Sequence, residues 1–376
     1  MIKQIALSLC GLCALLVSSL DANAEIKIGI AAPLTGIYAS LSEQIITGVK
    51  FAADEINAAG GIKGDTIVIE TIDDKCDPKT ATDVATQLAD KGIIAVIGHL
   101  CDRPSIEASS VYHENKIIQL SPTSQNPSFT EKRPLSTGGA YRLAARDTQQ
   151  SDILTSFMAT HEESSKIALL NDGSVYGKKL AAAISEGLKE KRIIPLLATE
   201  YESGQEHYSS LSARIVDSGA TLVFIGGAHI DAATLIRDID RLSDKITFLG
   251  GDSLVHVDFP NLILDDNPNR KTIENIFTSF PIDPRSLPSA KATVERFKKS
   301  KINPLGLVLR GYSAMKILET ALRTAEETTF ENLNKALNQQ SFQSPIGSIT
   351  FNDKGDANLT DYVVHQWQKN RIVVFN

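Results

Sequence analysis

From residue 25 onward, short β-branched runs alternate with longer stretches whose apolar positions recur at helical spacing. The runs 26–31, 66–72, 93–97, 117–120, 166–170, 193–199, 221–225 and 245–249 are predicted strands, nearly all bounded by Gly, Asp or Asn. Their continuous apolar character predicts burial on both faces, as in a mostly parallel sheet covered by helices. Between them lie helical patterns such as 42–59, where Ile45, Val49, Ala52, Ala53 and Ile56 share a face and Gly60-Gly61 supplies the C-terminal stop. Four strand–helix units fill roughly 25–120 and four more roughly 165–260, so the chain reads as two similar α/β lobes. Beyond about 270 the alternation loosens. A strand at 276–280 precedes a stretch with Pro281, Pro284 and Pro288, then helices at 289–299, 305–327 and 330–339. Two β segments close the chain, 347–352 and 362–375, the second a hairpin turning at Gln368-Lys369-Asn370-Arg371. The tail must dock onto sheets already built.

The first residues follow a different pattern. Lys3 precedes the apolar run 5–17 and then Ala22-Asn23-Ala24, the order of a secretory leader cleaved after Ala24. The run is too short for a membrane span, which needs about 20 residues. Leu9 and Leu12, not small residues, precede Cys10 and Cys13, which argues against a lipid anchor. Cleavage leaves two cysteines, Cys76 and Cys101, in a compartment where disulfides persist. They are expected to bond to each other, stabilising the fold by roughly 3 to 4 kcal/mol on the chain-entropy account. The competing readings are a metal site built from His99, Cys101, Asp102 and Cys76, and a free thiol; no paired C-x-x-C knuckle supports the metal.

The length of 376 residues suits two domains, and 42% hydrophobic with 22% charged residues is ordinary globular composition. A net charge of −7 leaves no electrostatic footprint for a nucleic-acid backbone or an anionic membrane. Enzyme motifs are mostly missing. There is no phosphate-binding G-x-x-x-x-G-K-[ST], and the first turn, Gly29 to Gly36, lacks dinucleotide glycine spacing. Gly251-Asp252-Ser253-Leu254-Val255 lacks the last glycine of a nucleophile elbow, and His161-Glu162-Glu163 lacks the second histidine of a helical zinc site. What remains are loops at strand carboxyl ends, where open α/β sheets bind ligands. They are 35–42, 99–105, 121–125 and 171–176, whose hydroxyls and free N–H groups suit an anionic group such as a carboxylate. Simpler roles stand beside these: Asp102 as an N-cap, Ser121 to Ser124 as a Pro-fixed turn, and Tyr176 as helix packing.

Asn57-Ala58-Ala59-Gly60-Gly61-Ile62-Lys63-Gly64, Asp73-Asp74-Lys75-Cys76-Asp77-Pro78 and Val96-Ile97-Gly98-His99-Leu100-Cys101 resemble the leucine/isoleucine/valine-binding proteins of bacterial ABC transporters. Ser121-Pro122, Asn126-Pro127, the set Arg142, Asp147 and Gln150, Tyr176-Gly177, Gly226-Gly227, Ile346-Gly347, Asp353-Lys354-Gly355-Asp356 and Gln366-Trp367 extend the resemblance over the whole exported chain. It implies the type I periplasmic binding protein fold: two doubly wound α/β lobes joined by a three-strand hinge and closing on a ligand, with the two cysteines linked. By that analogy residues 25–144 with 277–350 form lobe I, and 145–276 with 351–376 form lobe II. Tyr176 matches the family aromatic beneath the ligand, and Asp252 the acid that receives the ligand's α-ammonium. Asp102 and Gln125 replace the serine and threonine that help hold the α-carboxylate, Leu41 replaces a tryptophan, and Ala228 a tyrosine. An ionised Asp102 would repel a carboxylate. Either Asp102 turns away as a cap and Thr123 and Ser124 do the work, or the ligand carries a cationic or amide group. The resemblance implies a monomeric, cofactor-free periplasmic protein that delivers an amino acid or relative to an inner-membrane ABC permease. A sensory subunit for an amide, polyamine or other amino-acid-like compound, and a secreted α/β enzyme, are the rival readings.

Overall fold

The computed structural model describes residues 24–36, 38–131, 138–161, 166–256, 258–264, 273–369 and 371–375. Residues 1–23 of the expected leader lie outside these, as do Ile37 of the first candidate loop and Glu162-Glu163. The chain opens with β1 (Glu25–Ala32), α1 (Ala39–Ala58), β2 (Thr66–Asp73), α2 (Pro78–Asp90), β3 (Ala95–Gly98), α3 (Asp102–Glu114), β4 (Ile118–Ser121), the short α4 (Ser128–Glu131) and β5 (Ala140–Arg142). A second run follows: α5 (Gln149–Thr160), β6 (Ile167–Asn171), α6 (Val175–Glu190), β7 (Leu197–Glu200), α7 (Ser209–Asp217), β8 (Leu222–Gly226), α8 (His229–Asp240), β9 (Thr247–Gly250), α9 (Phe259–Leu264) and β10 (Ile276–Pro281). The tail comprises α10 (Lys291–Lys299), α11 (Val308–Thr324), α12 (Phe330–Gln339), β11 (Phe342–Ser344), β12 (Gly347–Ile349), β13 (Tyr362–Gln368) and β14 (Arg371–Val374).

Two sheets organise the molecule. The first is wholly parallel, in the order β2-β1-β3-β4-β5. The second runs β14-β13-β10-β9-β8-β6-β7, parallel from β10 to β7 with the terminal hairpin added antiparallel at one edge. All eight strands expected before residue 260 form, as does the hairpin. The largest displacement is at 193–199, where the strand starts only at Leu197. β7 is an edge strand with alternating exposure, so the expectation of burial on both faces fails there. β5 and β11 were not expected; at three residues each they are too short for a period to register.

Alternation along β1 divides the first lobe into two cores. Ile26, Ile28 and Ile30 join the cluster with α1 and α11, while Gly29 backs onto Leu88 of α2 and Val96 of β3. The tail helix α11 completes that first core, and it can approach α1 closely because of two glycines. A methyl on Gly48 would sit 2.0 Å from the Val308 carbonyl oxygen, and one on Gly311 would sit 2.3 Å from that of Ile45. In the second lobe Trp367 of β13 seals one core, and Val364 joins the other beneath α5 and α6.

The second and third crossovers fall later than the family analogy placed them. β10 hydrogen-bonds to β9 and β13, so residues 277–281 belong to the second sheet rather than to lobe I. Conversely, Asp356 bridges to Arg142 beside β5, and Phe351 packs in the first core, so 351–357 stay with the first lobe. The three crossovers meet at buried Asp361. Its carboxylate accepts from Ala145 N–H at 2.7 Å and from Arg310 of α11, while its backbone carbonyl accepts from Ile282 N–H at 2.7 Å. Gln149, opening α5, accepts from Asp361 and Tyr362 N–H at 2.6 and 3.0 Å and donates to the Leu359 carbonyl.

Candidate functional site

The candidate loops follow β1, β3 and β4 in the first lobe and β6 and β9 in the second, all at carboxyl ends of parallel strands. On the first lobe they line a cavity of about 580 Å³ with Tyr38, Leu41, Leu100, Asp102, Thr123, Gln125 and Leu307, a size suited to a small ligand. A second cavity, of about 560 Å³, shares Thr123, Gln125 and Leu307 and reaches the crossovers at Ile282, Arg310 and Asp361. Leu41 and Tyr38 are exposed apolar side chains on this wall.

Several polar groups of the first wall face inward. Ser124 is fully buried, its hydroxyl bonded to those of Ser105 at 2.5 Å and Ser121 at 2.9 Å, so it braces the loop. Thr123 donates its hydroxyl to the Leu100 carbonyl at 2.7 Å. Asp102 is not the N-cap of α3; Cys101 is, and Asp102 occupies the first turn. Its Oδ1 instead accepts from the backbone N–H of Gln125 at 2.7 Å and of Asn126 at 3.1 Å, joining the loops after β3 and β4. Gln125 returns a carbonyl to Asp147 N–H at 3.1 Å, which ties this wall to the first crossover.

The metal reading is overturned by the same region. Cys76 and Cys101 form a disulfide beside the cavity, so neither offers a thiolate. His99 is wholly buried, with Nδ1 2.5 Å from Asp74 and Nε2 3.0 Å from the Tyr112 hydroxyl. Among the described residues no cluster of His, Cys, Asp and Glu could hold a metal ion.

The second wall presents its polar groups. Ser174 caps α6 by accepting from Gly177 N–H at 3.0 Å, which sets Tyr176 in the helix's first turn. The Tyr176 hydroxyl donates to Asp252 Oδ1 at 2.6 Å, and Gln150 Nε2 donates to the same oxygen at 3.1 Å and to Ser279 Oγ. Tyr176 lies over Gly251, where a methyl would sit 1.9 Å from its hydroxyl oxygen, so only glycine leaves room for this contact. Asp252 opens a 3₁₀ turn (Asp252–Val255) held by Ser253 Oγ donating to the Gly227 carbonyl at 2.7 Å. The serine of the incomplete nucleophile elbow is therefore a brace. Ala228 is an exposed N-cap of α8, its N–H held by Asp172 at 3.1 Å.

Electrostatically the second wall is acidic. Burial raises the Tyr176 hydroxyl above its ordinary pKa, and the bond to Asp252 and its charge add to that. Tyr362, at the third crossover, is pushed up to about 12 by burial and then by the carboxylates of Asp252, Asp361 and Asp147. Both phenols stay protonated at neutral pH. The site residues expected from sequence thus divide into Leu41, Asp102, Thr123 and Gln125 on one wall, and Tyr176, Asp252 and Ala228 on the other. Gln150 and Tyr362 were not expected in the site. The sequence singles out Gln150 only as part of the Arg142, Asp147 and Gln150 set, and its burial beneath Asp252 is visible only in the fold.

Two α/β lobes, three crossovers meeting at one buried aspartate, and candidate loops at the strand ends define a hinged ligand-binding protein. The model of the family described as periplasmic binding protein matches residues 25–371, and the chain belongs to that family. An amino acid binding protein of Pseudomonas aeruginosa is 33% identical over 363 residues, 95% of each chain. A Leu/Ile/Val-binding protein homolog of Brucella suis is 31% identical over 350 residues, covering 93% of this chain and 92% of its own. Among solved structures, an ABC transporter substrate-binding protein from Desulfitobacterium hafniense in complex with Leu superposes with a TM-score of 0.69 at 23% identity, over 93% of this chain and all of that one. A leucine-binding protein from Thermotoga maritima gives 0.61 at 19%, over 93% of this chain and 98% of its own. These structures share the fold.

Proposed function

We propose that this protein is the periplasmic component of an amino-acid ABC transport system of the Leu/Ile/Val type, capturing an amino acid or close relative between its lobes and handing it to an inner-membrane permease. The observation that carries this reading is the contrast between walls. One offers an apolar shelf of Tyr38, Leu41, Leu100 and Leu307, and the other a carboxylate, Asp252, framed by Tyr176 and Gln150. That pair suits a ligand with an apolar body and an ammonium group. The names of the curated relatives support the same class.

Closure is a known property of this class of protein. We take lobe I as 25–144 with 283–357 and lobe II as 145–281 with 362–376, the hinge lying at the segments between; the pairing of β10 with β9 and β13 supports these bounds. The leader is removed after Ala24, and the exported chain acts as a monomer without cofactor. Capture needs no bond-making step, and the protein acts as a carrier rather than an enzyme. A thermal-shift screen of residues 25–376 against amino acids, their amides, polyamines and short carboxylates tests the reading. A ligand at 100 times its dissociation constant adds about 2.7 kcal/mol, a readily measured rise. If no amino-acid-like compound raises the melting temperature, the reading fails.

A further inference from the structure

The first wall carries a carboxylate of its own, Asp102, beside the cavity. Asp102 sits in the first turn of α3, at the helix end that attracts anions, and its Oδ1 already accepts from Gln125 and Asn126 N–H. The neighbouring hydroxyls are committed too. Thr123 donates to the Leu100 carbonyl, Ser121 to the His99 carbonyl at 2.9 Å, and Ser124 is buried against Ser105 and Ser121. Asp102 and Gln125 line the same cavity. Arg103 is the one cation among the described residues lining it, and it is exposed, where water and salt screen its charge. The second wall adds Asp252, so both sides of the cleft offer acceptors and negative charge.

We infer that the ligand meets the first wall with a hydrogen-bond donor and no free carboxylate, as an amino-acid amide does. This rests on the binding function proposed above and specifies its ligand class. A free carboxylate here would find the N–H groups of Gln125 and Asn126 occupied, and would face Asp102 in a partly dehydrated cleft. An amide NH2 or a second ammonium would instead donate to Asp102.

Calorimetric titration of the purified protein with the common L-amino acids and their primary amides decides the matter. At least one amide is expected to bind ten times more tightly than its parent acid. Asp102→Asn keeps the oxygen that accepts from Gln125 and Asn126 while removing the charge, and should cut that ratio at least tenfold. Asp102→Ser frees the two N–H groups and should strengthen binding of the parent acid. A free amino acid that binds as tightly as its amide, or a ratio unchanged in Asp102→Asn, overturns the inference and leaves the proposed function standing. If neither acids nor amides bind, both fall. The ratio in the unaltered protein decides even if a variant does not fold, which a circular-dichroism melt would reveal.

Discussion

In the first lobe, the loops after β3 and β4 turn their polar atoms inward. Ser105, Ser121, Ser124 and Thr123 bond to one another or to the carbonyls of His99 and Leu100, and Asp102 fastens two loop N–H groups. In the second lobe, the loops after β6 and β9 hold Tyr176 and Asp252 partly exposed, with buried Gln150 supporting the carboxylate from behind. Both walls are built from the same unit, a parallel strand running into a helix. What differs is where the hydrogen bonds close. A wall whose polar groups satisfy each other is stiff and shapes the cleft, while one with a presented, hydrogen-bonded carboxylate is poised for charge recognition.

The comparison can be broken in several ways. The largest effect is expected from the disulfide, a brace with no counterpart among the described residues of the second lobe. Replacing Cys76 and Cys101 together by alanine should lower stability by roughly 3 kcal/mol, measured by urea denaturation, with reductant producing the same loss in the parent protein. Next comes Asp252→Ala, which removes the presented charge. Affinity should fall about a hundredfold, corresponding to roughly 2 to 3 kcal/mol, while the melting temperature of the free protein stays close to that of the parent. If binding survives, the second wall is not the recognising one.

A smaller, paired test sets one hydroxyl against another. Ser124→Ala should cost about 1 to 2 kcal/mol of stability, because Ser105 and Ser121 lose a buried partner, with little change in dissociation constant. Tyr176→Phe should do the reverse, weakening binding about fivefold and leaving stability nearly unchanged. The smallest effect concerns the tie between tail and first lobe. Burial raises the Asp356 pKa, but hydrogen bonds from Thr130 and the charges of Arg142 and Arg146 outweigh it, so the folded value lies below the ordinary 3.8. A depressed folded pKa means the stabilisation is present above that ordinary value and is lost as pH falls through the folded one. Asp356→Asn should therefore flatten the acid limb of a stability profile below about pH 4, leaving the profile at neutral pH offset but parallel.

The sequence by itself determined the terminal hairpin, the pairing of two cysteines and, before residue 260, every strand of both sheets except β5. Each depends on local composition: burial on both faces writes a continuous apolar run into the strand, and Cys76 and Cys101 are the only cysteines outside the expected leader. It did not determine the crossovers, because β10 joins the second sheet through pairing with β13, and 351–357 stay with the first lobe through Arg142 and Asp356. Nor did it determine the direction of the loop side chains. Ser124 and Thr123 look alike as candidates in sequence, yet one is sealed against Ser105 and the other lines the cavity. Asp102 had the composition of a cap and became the clasp of a loop 23 residues away. Only the tertiary structure could decide these, because a loop polar group takes the partner that the packed strands bring within reach, and that partner is distant along the chain.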